Sequence, residues 1–172
     1  MIEHDDALYL YTDGACLGNP GPGGWAYVLV APGGTVEDSG GEGETTNNQM
    51  ELLSAVEGLG ATALGADIVV VTDSEYLKNG MTRWTRGWQR NGWRTATGAP
   101  VKNQELWQAL LQLVGRRTVR WEWVKGHAEL ERGGDEFNHR CDALARAAAR
   151  QAASSAPAKP PAARRRGARR SR

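Results

Sequence analysis

Asp13 and Asp73 each close a Thr-Asp pair at the end of a β-prone apolar run, Ala7-Leu8-Tyr9-Leu10-Tyr11 before the first and Ile68-Val69-Val70-Val71 before the second. Glu51 stands near the start of a stretch with helical spacing. In α/β sheets the carboxyl ends of strands open into the crevice where ligands bind. Taken singly, each acid is an ordinary turn or capping residue, but the repeated Thr-Asp ending makes coincidence harder to accept. If the two strands are neighbours, their carboxylates repel one another unless cations lie between them. A set of oxygen ligands alone suits Mg²⁺ or Mn²⁺. The glycine-rich residues 13–24 lack the lysine of a GxxxxGK[ST] loop and no helix follows them, so a nucleotide-binding reading is poor. A tight hairpin connection that lets a ligand backbone approach closely fits better.

The elements that must hold these groups follow from the apolar pattern. Residues 7–13 and 24–30 read as strands, and Pro32-Gly33-Gly34 turns the second into a weak, glycine-rich edge strand over 35–44, giving an antiparallel meander. Thr46 with Gln49 three residues on has capping-box spacing, and Met50, Leu53, Val56 and Leu59 then mark a helix face. Residues 67–73 form a continuous apolar run, as expected of a strand buried on both faces, and Ser74 can cap the helix after it. Residues 103–114 are helical by pattern, 118–124 form a strand with Trp121 and Trp123 on one face, and 138–151 form an alanine-rich helix. The order predicts an α/β fold, a mixed sheet with helices.

The chain's 172 residues make one domain. Residues 152–172 contain no large apolar side chain and end in an arginine-rich run, so they are expected to form a disordered basic tail beyond a domain of residues 1–151. The net charge of +1 conceals segregation. Residues 1–77 hold 13 acids and no Lys or Arg, whereas residues 78–125 hold 10 bases and 2 acids. Residues 1–151 come to −6 and the tail to +7. Such a layout sets an acidic region suited to cations beside a basic region suited to a polyanion, although an unevenly charged solvated surface accounts for the counts equally well. No apolar run is long enough for a membrane span, and the start Met1-Ile2-Glu3-His4-Asp5-Asp6 is unlike a signal peptide, so a cytoplasmic protein is expected, with a monomer as the default state. Cys16 and Cys141 form neither a disulfide framework nor a zinc motif.

Five segments in order resemble the signatures of bacterial type 1 ribonuclease H. They are residues 13–25, Thr45-Thr46-Asn47-Asn48-Gln49-Met50-Glu51, Thr72-Asp73-Ser74, Trp121-Glu122-Trp123-Val124-Lys125-Gly126-His127 and Asn138-His139-Arg140-Cys141-Asp142-Ala143-Leu144-Ala145. The resemblance implies a five-stranded mixed sheet flanked by helices and hydrolysis of the RNA strand of an RNA–DNA hybrid. It implies Asp13, Glu51, Asp73 and Asp142 as carboxylates holding two divalent ions, Mg²⁺ or Mn²⁺. It implies His127 as a loop histidine that assists proton movement or product release; by itself it reads equally well as a solvated histidine. Asn19, Asn47 and Asn48, with backbone around Gly14 and Cys16, would contact the minor groove, where the 2′-hydroxyl marks RNA. Thr46 and Asn103 match a pocket for a DNA-strand phosphate. Residues 80–101 resemble a basic protrusion that grips the DNA strand.

Within that protrusion Trp84, Trp88 and Trp93 interleave with Arg83, Arg86, Arg90 and Arg94, a good surface for phosphates and sugars. Their spacing also fits a helix–helix core, and packing is the favoured reading for Trp84. Two features depart from the family pattern. Residues 128–137 are longer than its usual short loop and carry extra acids, and Gln89 and Thr97-Gly98-Ala99 stand where bases are common. The basic tail is a candidate to compensate through nonspecific nucleic-acid contacts. Rival readings are a DNA nuclease of the same superfold, which the Thr-Thr-Asn-Asn and Gly-Asn-Pro-Gly-Pro-Gly segments argue against, and a non-catalytic hybrid-binding module, which loss of a carboxylate would favour.

Overall fold

Alternation along two central strands organises the computed structural model, which describes residues 7–125 and 136–155. In β1 (Leu8–Cys16), Leu10 joins one core, while Tyr9 and Tyr11 join a second on the opposite face. In β4 (Asp67–Thr72), Ile68 and Val70 face the first core and Val69 and Val71 the second. Both strands are therefore covered on both sides, which is why their sequences are apolar without interruption. β2 (Gly21–Ala31), β3 (Gly34–Thr45) and β5 (Thr118–Trp123) complete a five-stranded sheet in the order β3-β2-β1-β4-β5. β1 is antiparallel to β2 and parallel to β4, and β5 runs parallel to β4, so the expected mixed sheet is present.

The first core packs α1 (Asn47–Gly60) and α4 (Gln104–Gly115) on one face through Leu52, Ala55, Leu59, Trp107 and Leu110. The second packs α5 (Glu136–Ser155) on the other through Cys141 and Ala145. Between β4 and α4 the chain forms α2 (Glu75–Asn79), a π-helical turn (Gly80–Trp84) and α3 (Thr85–Arg90).

Three expectations need correction. Residues 13–24 are mostly strand, because β1 continues to Cys16 and its ladder to β2 pairs Asp13 with Ala26 and Cys16 with Gly23. The glycines there admit a neighbour: a Cβ on Gly24 would strike the backbone of α5 at Ala145 and Ala149. The buried face of α1 centres on Leu52, Ala55 and Leu59, while Leu53 and Val56 are only half-buried. The helix expected to end at residue 151 continues to Ser155, with Ala152 against Gly41 of β3. Residues 156–172 of the expected tail lie outside the described residues, as do residues 126–135. Among the described residues no helix is long and apolar enough to cross a membrane. Both cysteines are free thiols.

Candidate active site

Parallel pairing of β1 with β4 aligns Tyr11 with Val71, so Asp13 and Asp73 occupy equivalent places two residues further on. Gly14 brings in the third carboxylate. A Cβ there would collide with the Met50–Glu51 backbone, so only glycine lets the first turn of α1 rest on β1. A reciprocal capping box fixes where that helix begins: Gln49 N donates to Thr46 Oγ1 and Thr46 N to Gln49 Oε1, each at 3.2 Å. Ligand oxygens of Asp13, Glu51 and Asp73 consequently all lie within 4.8 Å of one another. Asp73 is anchored through its carbonyl, which accepts from Trp123 Nε1 at 3.1 Å. Ser74 caps α2, accepting from Leu77 N at 3.1 Å. Asp142 on α5 lines the same open cleft of about 420 Å³, followed along its helix face by Arg146 and Arg150.

Electrostatics make this cluster costly as it stands. Burial, then the charges of Asp73 and Asp142, pushes Asp13 up to about 8, opposed by the Gly14 N–H. That N–H donates to Asp13 Oδ1 at 2.9 Å. Burial, then the charges of Asp13 and Asp73, raises Glu51 well above the ordinary glutamate range. Asp13 Oδ2 and Glu51 Oε2 are buried without a hydrogen-bond partner. Buried acceptors that lack donors are destabilising, and clustered anions more so. Hard divalent cations satisfy both demands, so the residues fit the metal expected of them. At the rim, Arg146 Nε pairs with Asp142 Oδ2 at 3.1 Å.

The other candidate residues fall into two groups. Near the cleft, the Cys16 thiol donates to the Thr45 carbonyl at 3.4 Å, and burial raises its pKa. Asn47 N donates to Asn19 Oδ1 at 3.1 Å, which draws those two together, and Asn48 is exposed beside them in α1. Asn103 and the tryptophans form a second group at α2, α3 and α4. There Trp84 packs on the rings of Tyr76 and Trp88, each 5.9 Å away, as the packing reading expects, while part of its surface stays open. Trp84 is 39% exposed, while Trp88 and Trp93 are half-buried against the first core. His127 lies outside the described residues. His139 is exposed on α5. Sequence reasoning missed Arg146, though its Asp-to-Arg spacing of four was a visible signal, and Tyr76, which had none.

The sheet order, with carboxylates gathered where two parallel strands end, defines an α/β protein with a carboxylate cluster able to hold metal at the mouth of a mixed sheet. The RNase H family model matches residues 5–150, and the chain belongs to that family. It is 53% identical over 147 residues to a ribonuclease H of Paracoccus denitrificans (strain Pd 1222), covering 83% of this chain and 92% of that protein. It is 50% identical over 147 residues to the ribonuclease HI of Neisseria meningitidis serogroup B (strain ATCC BAA-335 / MC58), covering 86% and 98%. Among solved structures, a type 1 RNase H with the type 2 active-site motif superposes with a TM-score of 0.72 at 36% identity, covering 85% of this chain and 73% of that one.

Proposed function

We propose that this chain is an endoribonuclease that hydrolyses the RNA strand of RNA–DNA hybrids, leaving 5′-phosphate and 3′-hydroxyl ends. The observation that carries the reading is the pair of orphaned, buried carboxylate oxygens on Asp13 and Glu51, gathered with Asp73 inside a family fold. Asp13, Glu51, Asp73 and Asp142 would hold two Mg²⁺ ions, with Mn²⁺ as a substitute. Two such ions supply an activated water on one side of a scissile phosphate and charge stabilisation for the leaving oxygen on the other.

The remaining residues select and hold the duplex. Asn19 already accepts from the Asn47 backbone through its side-chain oxygen, which leaves its amide N–H groups for a 2′-hydroxyl. Asn47, Asn48 and the backbone of Gly14 and Cys16 extend that minor-groove surface. Thr46 and Asn103 take a phosphate of the DNA strand, and Trp84, the exposed ring, lies against its sugars. Trp88 and Trp93 support that ring from the core side, and Arg83, Arg86, Arg90 and Arg94 add sequence-independent attraction. His127 serves proton movement or product release. Ser155, at the end of α5, shares a groove with Leu17 and Pro20, and the basic tail adds nonspecific nucleic-acid contacts. We place the enzyme in the cytoplasm as a monomer.

The test separates catalysis from binding. Asp13→Asn, Glu51→Gln and Asp73→Asn should each abolish cleavage of a labelled hybrid in Mg²⁺ while retaining hybrid binding in a filter or anisotropy assay. Undiminished cleavage by any of the three would contradict the assignment.

A further inference from the structure

Asn103 precedes α4 in the left-handed region at φ 59°, a conformation asparagine tolerates better than most side chains. An asparagine at this position ordinarily turns its side chain onto the N–H groups of the first helical turn. Asn103 makes no such bond. Its amide nitrogen instead donates to the Tyr76 hydroxyl oxygen at 3.1 Å. Trp107 Nε1 donates to the same oxygen at 3.3 Å. Trp107 is fully buried, and its ring occupies the space that a Cβ on Gly80 would need. An indole N–H can only donate, so the Tyr76 oxygen is held in place by a buried group that has no other use for it. The Tyr76 ring lies 5.1 Å from that of Trp107 and 5.9 Å from that of the exposed Trp84.

We propose that Tyr76 is the positioning residue of the DNA-strand phosphate subsite: its hydroxyl, pinned by Trp107, aims the Asn103 amide at the phosphate. The inference rests on the assignment of Asn103 to that phosphate made above. Holding one amide N–H on Tyr76 leaves the second to meet a phosphate oxygen, and it keeps the side chain from folding back to cap α4. The same tyrosine carries Trp84 on its ring, so the subsite and the exposed face of the protrusion share one support. With both lone pairs accepting, the Tyr76 hydroxyl oxygen is fixed between Trp107 and Asn103.

The test uses a series of hybrids, each with one neutral methylphosphonate in the DNA strand, and the ratio of KM for modified over unmodified substrate within each variant. In the wild-type protein one position should raise KM about tenfold, as loss of a charge-assisted hydrogen bond does. Asn103→Ala should flatten that ratio to below about twofold, and Tyr76→Phe should flatten it at the same position. The double variant should flatten it no further than Asn103→Ala alone. Because the ratio is internal to each variant, a general loss of stability does not imitate the result. A full penalty retained by Tyr76→Phe but lost in Asn103→Ala would overturn the positioning role and leave the subsite standing. Absence of any position-specific penalty in the wild-type protein would overturn the subsite reading itself.

Discussion

Asp13→Asn should make the cation-free protein more stable while removing its activity. In the fold Asp13 ionises near pH 8 rather than near 3.8, chiefly because it is buried and faces Asp73 and Asp142. A carboxyl whose folded pKa is raised binds its proton more tightly in the native state, so stability falls as pH rises from about 4 to about 8. At pH 7 the roughly three units between an ordinary aspartate and neutrality, at about 1.4 kcal/mol each, bound the penalty at about 4 kcal/mol. Asparagine carries no charge and keeps an acceptor for the Gly14 N–H, so about 2–3 kcal/mol should be recovered. For a chain of this size that is a rise of roughly 5–10 °C in Tm. Calorimetry in chelator at pH 5, 6, 7 and 8 provides the assay. The wild-type Tm should fall across the series, the gap to Asp13→Asn should widen, and Mg²⁺ should close it by raising the wild type alone. A wild-type Tm indifferent to pH, or a variant less stable at pH 8, would refute the reasoning.

The other expectations are independent of that one. Gly14→Ala forces a Cβ into the Met50–Glu51 backbone, so it should cost about 1–3 kcal/mol in chemical denaturation and displace Glu51 enough to suppress cleavage. Trp84→Ala should raise KM for hybrid and lower Tm less than Trp88→Ala, because Trp84 is 39% exposed whereas Trp88 packs on the buried Trp107; Trp88→Ala should lower Tm by several degrees. Deleting residues 156–172 should raise KM, leave kcat near the wild-type value and flatten the dependence of binding on salt, as fewer counterions are released. An unchanged salt slope would remove the tail from substrate binding.

Much of the fold and of the site is legible in the sequence, and what is not is hidden for physical reasons. The Thr-Asp endings were legible because strands covered on both faces spell continuous apolar runs, and the position of Glu51 followed from the capping box. The inner face of α1 was misread because it is built partly of Ser54, Ala55 and Gly58, whose small side chains carry little hydrophobic signal. Glycine announces turns, so residues 21–23 read as loop; Gly23 and Gly24 instead let Thr45 and α5 approach the strand. The π-helical turn at Gly80–Trp84 is encoded by no simple periodicity. Tyr76 reaches Asn103 and Trp107 across 27 and 31 residues, a contact that exists only once α2 and α4 are packed together.

Strand choice tests the central claim most directly. A hybrid labelled in turn on its RNA and its DNA strand, offered with Mg²⁺ alongside duplex RNA and duplex DNA, should lose only the RNA of the hybrid. The products should carry 5′-phosphate ends, and chelator should stop the reaction. Cleavage of the DNA strand, or equal cutting of duplex DNA, would contradict the account.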